Sequence, residues 1–197
     1  MFTRLRAGAI VLLLTATVGC GSDTLSNQQR PAAAQDYPAC PEEGVAEDRI
    51  VYSSVKQMAD LSVSAVEATV TDKGEGARSG EDTFMEYTIE TEAVLAGADM
   101  PETWRLRTGY ILPSGCEMSF NGLGVLEIGD RAVLFVQPAS EAEAGLVYST
   151  MGTQGRFKLS GDDVADSRRT DALTRRVEAG SAAQLRADTR SSTRGRR

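Results

Sequence analysis

Apolar and polar side chains alternate most strictly over residues 83–95. Met85, Tyr87, Ile89, Thr91, Ala93 and Leu95 share one face, and Glu86, Thr88, Glu90 and Glu92 take the other. Period two over that length predicts a half-buried strand. Residues 61–70 alternate in two phases, Leu61, Val63 and Ala65 first, then Val66, Ala68 and Val70. A change of face within one strand predicts a β-bulge. Trp104, Leu106 and Thr108 alternate with Arg105 and Arg107, which would complement Glu86, Glu90 or Glu92 on a paired strand. Gly129 and Asp130 form a turn candidate between strand candidates at 125–128 and 131–137, the latter apolar enough to be covered on both faces. Shorter strands are expected at 146–151 and 155–159, with a tight turn at Ser160, Gly161 and Asp162.

Helical spacing is weaker. Ile50, Val51, Val55 and Met58 predict one short helix within residues 48–60. Residues 72–82, rich in glycine, serine and charge, read as a mobile surface loop, and 138–145 as another polar loop. Toward the end, Leu173, Val177 and Leu185 permit a helix over 170–186, while the last ten residues have the composition of a disordered tail. Short strands at close intervals with little helix between them predict a mainly β, closed or nearly closed antiparallel barrel.

The first twenty residues follow a different rule. Arg4 and Arg6 precede an uncharged run over 7–18, closed by Gly19 and Cys20. Basic, then apolar, then small is the layout of a secretory signal peptide. The run is well short of the roughly 20 residues that span a bilayer as a helix. Thr17, Val18, Gly19 and Cys20 resemble the lipobox of bacterial lipoproteins, with Thr17 where an aliphatic residue is usual. The resemblance implies a signal peptide at 1–19 and lipidation of Cys20, with membrane attachment through that lipid on the extracytoplasmic side. Without lipidation the chain would be secreted. Two or more acyl chains on one residue suffice for stable anchoring. Residues 20–36, small and polar, would then be a flexible tether.

The formal net charge of −7 conceals an asymmetry. Residues 20–164 carry 24 acids against 10 Lys and Arg, whereas 165–197 carry nine Arg against four acids. An acidic body argues against nucleic acid as a partner. The chain has no histidine, which removes the commonest general base and metal ligand. Of three cysteines, Cys20 is assigned to lipid, leaving Cys40 and Cys116 as an even pair able to form a disulfide in an oxidising compartment.

Ala59 and Asp60 before the 61–70 strand, then Tyr87, Thr88 and Ile89 with Val94, Leu95, Ala96 and Gly97, are similar to the netrin-like module. So are Ser114, Gly115 and Cys116, the run from Leu126 to Phe135, and Gly155, Arg156, Phe157 and Gly161. This OB-type barrel also occurs in tissue inhibitors of metalloproteases and in bacterial exported proteins. The resemblance implies a small antiparallel OB-like barrel over 37–164, with one short N-terminal helix and an Arg-rich, partly helical or disordered tail over 165–197. Ala68, Ala96 and Ala132 depart from the module's usual residues. The inhibitors grip zinc with a free amino-terminal cysteine; Cys20, acylated and well before the domain, does not meet that requirement.

Candidate chemistry is sparse. Glu86 and Glu90 share a strand face that reads as solvated and polar, with nothing apolar to separate their acidities. Asp162 and Asp163 fall short of a calcium ligand set, and Gly122 and Gly124 lack the residues of a phosphate loop. Trp104 and Tyr110 suit core packing better than a ligand groove. No cofactor or metal is expected. The expectation is a non-enzymatic, lipid-anchored envelope binding module with an envelope protein partner. The alternatives are a carboxylate-dependent envelope enzyme using Glu86, Glu90 or Asp130, or a protease-inhibitor-like module.

Overall fold

A computed structural model describes residues 38–40, 51–119, 125–139, 147–165 and 171–192. The signal peptide, Cys20, the whole tether, most of the 138–145 loop, and Gly122 and Gly124 lie outside these residues.

Among the described residues, eight strands form one sheet: β1 (Ser64–Ser79), β2 (Asp82–Gly97), β3 (Thr103–Ile111), β4 (Glu117–Ser119), β5 (Arg131–Pro138), β6 (Val147–Thr150), β7 (Arg156–Ser160) and β8 (Asp163–Val164). The sheet closes on itself. β1 pairs β2, β2 pairs β3, β3 pairs β6, β6 pairs β5, and β5 returns to β1. Every junction in that ring is antiparallel except β3–β6, where Arg105 stands opposite Val147 in parallel register. The result is a small, mainly β, OB-like barrel of the kind that removes sheet edges by closure. Both β6 and β7 share one edge of β5, β6 along Val136 to Pro138 and β7 along Arg131 to Leu134.

The barrel has two apolar cores, and they explain the pattern over 65–70 only: the strand expected from Leu61 begins at Ser64, and Leu61 is an exposed residue at the end of a helix. Val66, Ala68 and Val70 point inward with Tyr87, Ile89, Trp104, Leu106 and Leu134. Ala65 points outward into a second core with Val133, Phe135 and Phe157, covered by the helices. The expected irregularity is present: the register between β1 and β2 shifts between Ala65 and Val66, and again at three further points. As expected, Ala132 to Val136 of β5 are buried on both faces.

Among the described residues, three helices cover the second core. In α1 (Val55–Leu61), Ser54 caps the amino end by accepting from the Gln57 amide, while Val55, Met58 and Ala59 face inward. The carboxy-terminal segment forms two helices rather than one: α2 (Ala172–Glu178), capped by Asp171, and α3 (Ala182–Arg190), capped by Ser181. Gly180 and Ser181 separate them. Leu173, Val177 and Leu185 are all buried in the same cluster as the α1 and barrel residues, so the segment read as a tail is joined to the barrel through its apolar face.

Three local expectations are corrected. Residues 72–82 form no loop; β1 runs to Ser79, β2 starts at Asp82, and a turn with Gly80 at φ +66° joins them. Backbone pairing across a long hairpin outweighs the turn-rich composition there. Residues 125–128 form no strand, although the turn at Gly129 (φ +91°) is present. The polar face of β2 is not uniformly solvated, because Glu86 is only 6% exposed. Among the described residues, no helix is long and apolar enough to cross a membrane.

Candidate functional site

The outward side of the β2–β3–β4 corner presents the main candidate surface. Phe84 pairs with Tyr110, and Tyr110 pairs with Met118, so the three form a row across three strands. The Phe84 and Tyr110 rings stack with centroids 4.7 Å apart and planes at 27°. The Arg107 guanidinium lies 4.2 Å from the Phe84 centroid, a cation–π arrangement. All three row residues are half-buried. Aromatic, Met and Arg side chains are the types enriched at protein interfaces.

One buried carboxylate fixes this surface. Glu86 Oε1 accepts from Arg107 Nε at 3.0 Å and Nη2 at 2.5 Å, and Glu86 Oε2 accepts from Arg105 Nη1 at 2.9 Å. The complementarity expected between Glu86 and the β3 arginines is therefore realised. Gly76 makes room for it, since a Cβ at that position would collide with the Glu86 side chain.

The inner side holds a second polar group. Tyr87 projects into the barrel and donates to Glu117 Oε1, while the Leu126 amide donates to the Tyr87 hydroxyl at 3.3 Å. Glu117 is 2% exposed, and its Oε2 has no hydrogen-bond partner among the described residues. Burial pushes both the Glu117 carboxyl and the Tyr87 hydroxyl above their usual ranges. Lys73, Glu127 and Arg156 add charges around the pair, with Lys73 Nζ 3.2 Å from Glu127 Oε2. Strip 38–40 flanks β4 here. The Glu117 amide donates to the Pro38 carbonyl and the Cys40 amide to the Glu117 carbonyl, both at 2.8 Å, and Cys40 is disulfide-bonded to Cys116.

Elsewhere, Glu67 of β1 accepts from Arg131 and from Arg186 of α3, and Arg131 also binds Glu92. The Arg131 guanidinium, with help from Thr69, holds the Glu92 carboxyl below its usual range. A cleft of about 300 Å³ lies between α1, α2 and α3, floored by Val55, Leu173, Val177 and Leu185.

The remaining sequence candidates are dispersed. Glu90 is exposed on β2, apart from the Arg-bound Glu86. Asp130 is held by Lys158 at 2.7 Å and by the Glu127 amide at 2.9 Å. Asp162 and Asp163 are exposed at the β7–β8 turn. Trp104 is in the core, its Nε1 donating to Thr91 Oγ1 at 2.9 Å, whereas Tyr110 lies outside on the row. Among the described residues no group of three or more Asp, Glu, Cys or His side chains is placed to hold a metal. Sequence reasoning missed Phe84 and Glu117. Phase alone would have found Phe84, since it alternates with Met85 and shares the outward face of Glu86. No pattern marks Glu117.

No protein-family model, curated protein or solved structure matches this chain.

Proposed function

We propose that the chain is an exported lipoprotein, anchored through Cys20 on the outer face of the cytoplasmic membrane, whose netrin-like barrel is a non-enzymatic binding module for an envelope protein. The observation that carries the binding reading is the row of Phe84, Tyr110 and Met118, with Arg107 stacked on Phe84 and locked by Glu86. Rigid aromatic side chains flanked by an ordered arginine supply contact area at little entropic cost, as binding hot spots do. The disulfide supports export, since such bonds persist in oxidising compartments. Carboxylate catalysis by Glu86, Glu90 or Asp130 is the weaker reading, because Glu86 and Asp130 are both engaged by cations and Glu90 stands apart from them, exposed on β2.

A photo-reactive amino acid at Thr88, four residues beyond Phe84 along β2 and opposite Arg105, should cross-link one defined envelope protein in cells. Phe84→Ala combined with Tyr110→Ala should abolish that adduct in a folded protein. Capture unaffected by the pair of substitutions would refute the assignment of the face. The anchor is tested separately by mass spectrometry of the mature amino terminus, where an unmodified Cys20 would refute lipidation.

A further inference from the structure

The helices α1, α2 and α3 are tied to one another at three corners. Gly180 and Ser181 join the end of α2 to the start of α3. The Ser192 hydroxyl donates to Asp60 Oδ1 at 2.6 Å, which closes the far end of α3 onto α1. Between α1 and α2 the link is Gln154, only 2% exposed. Its Oε1 accepts from the Tyr52 amide and its Nε2 donates to Asp171 Oδ1, both at 2.6 Å. Tyr52 precedes α1 and Asp171 caps α2, so the helices form a closed, three-sided frame. All three sides line the cleft of about 300 Å³.

The lining has an apolar and a charged part. Val55, Leu173, Val177 and Leu185 make the floor, buried in one cluster with the barrel residues. Arg176 lines the cleft from α2 and Asp188 from α3, and both are exposed. Asp188 Oδ1 accepts from Gln184 Nε2 at 2.6 Å, and a neutral amide leaves the carboxylate its charge. Lys56, a second cation at the cleft, is joined to Asp60 at 2.6 Å, so its charge is matched within α1. Arg176 and Asp188 thus bring opposite charges from two sides to one apolar floor.

We propose that this cleft binds a free apolar α-amino acid. The side chain rests on the floor, the carboxylate meets the Arg176 guanidinium, and the ammonium meets Asp188. Charge decides the class of guest. Any molecule seated on the floor takes water from both charged groups, and a charge stripped of water needs a partner. A hydrocarbon supplies none, an aliphatic acid serves Arg176 alone, and an aliphatic amine serves Asp188 alone. An α-amino acid carries both charges on one carbon, beside its apolar side chain. Guanidinium and carboxylate also match as planar, two-pronged partners. Size agrees, because about 300 Å³ is the lower end for small-molecule sites. A frame pinned at its corners needs little ordering when the guest arrives, which favours binding. The cleft shares no residue with the Phe84, Tyr110 and Met118 row, so the proposal is independent of partner, lipid and export.

The test is calorimetric titration of the full chain with leucine and with phenylalanine, each to about 10 mM, where millimolar affinity is measurable. At least one should bind saturably. Analogues that lack one charge should bind about tenfold or more weakly: isocaproate and isoamylamine against leucine, hydrocinnamate and phenethylamine against phenylalanine. Arg176→Gln and Asp188→Asn should each weaken the amino acid about tenfold. Both residues are exposed, and an unchanged Trp104 near-ultraviolet signal checks that the variants are folded. Saturable binding of neither amino acid would overturn the proposal. Equal affinity for an amino acid and its singly charged analogues would do so too, since the cleft would then be an apolar hollow only. Undiminished binding in both folded variants would place the amino acid elsewhere and refute the site.

Discussion

Glu67 and Arg186, 119 positions apart in the chain, are joined by two parallel hydrogen bonds of 2.6 Å each. Glu67 is 5% exposed and also accepts from Arg131, so one carboxylate ties β1 to β5 and to α3. Charge-assisted, bidentate pairs are the stronger kind, and a buried carboxylate is costly to leave with fewer partners. Arg186→Ala leaves Arg131 in place and should cost about 1–2 kcal/mol, given that Arg186 is partly solvated. Glu67→Ala removes the acceptor shared by two guanidinium groups and should cost more, about 2–3 kcal/mol. Urea midpoints at constant m-value check both, and equal costs would show that Arg186 alone carries the link and that Arg131 adds nothing to it.

The carboxy-terminal helices should behave as part of one folding unit. Leu185 is buried with Val55, Met58 and Ala59 of α1. Leu185→Ala is expected to cost about 2–4 kcal/mol through lost burial and the cavity left behind. A chain ended at Val164 would uncover Met58, Phe135 and Phe157 together and should aggregate or bind a hydrophobic dye. A monomeric, cooperatively unfolding 37–164 fragment would show instead that the barrel is complete without α2 and α3.

What could be read along the chain beforehand was what depends on period and on counting. The inward face of β2, the covered β5 strand and the irregularity near Ala65 follow from alternation, because burial on one or both sides of a sheet leaves that trace. The pairing of Glu86 with Arg105 and Arg107 followed from opposite charges on adjacent strands. The hairpin of residues 72–82 was hidden, since its glycines and charges carry turn propensity while its structure comes from pairing with β2. The docking of α3 was hidden as well. Three apolar residues in an Arg-rich segment do not reveal that a buried acid on β1 awaits one of those arginines. Of the candidate surface, Tyr110 was singled out and Phe84 was not, and their stacking depends on a β2–β3 register that no single strand records.

Two carboxyl groups with opposite environments give the stability a pH dependence with two limbs. Glu117, held above its usual range by burial, favours the folded state when protonated. Its contribution is complete below the unfolded-state value and is lost as pH rises through its folded-state value. Glu92, held below its usual range by Arg131, contributes above the unfolded-state value and loses that contribution as pH falls through its folded-state value. Glu117→Gln should therefore flatten the decline on the alkaline side of the carboxylate range. Glu92→Gln should flatten the acid limb. Denaturant midpoints from pH 2.5 to 8 check the signs, and a wild-type curve that Glu117→Gln leaves unaltered above pH 5 would contradict the assignment for that residue.

Gly76 and Gly74 form a matched pair for testing what orders the candidate surface. Both lie on β1 opposite the start of β2, but their surroundings differ. A Cβ on Gly74 meets no atom within 4 Å, whereas one on Gly76 meets the Glu86 side chain. Glu86 is flexible in isolation and would swing aside at little steric cost, yet it is pinned by Arg105 and Arg107. Gly76→Ala should therefore act electrostatically: it displaces the carboxylate, frees the two guanidinium groups and removes Arg107 from the Phe84 ring. The expected cost is about 1–2 kcal/mol, the scale of charge-assisted hydrogen bonds that are partly solvated. Gly74→Ala should be neutral or stabilising by up to about 1 kcal/mol, because it reduces only unfolded-state freedom. Thermal unfolding of the two variants, with the cross-linking yield at Thr88, separates the possibilities. Loss of both stability and cross-linking in Gly76→Ala alone would tie partner capture to the Glu86 clamp, while equal behaviour of the two variants would show that the clamp does not order the row.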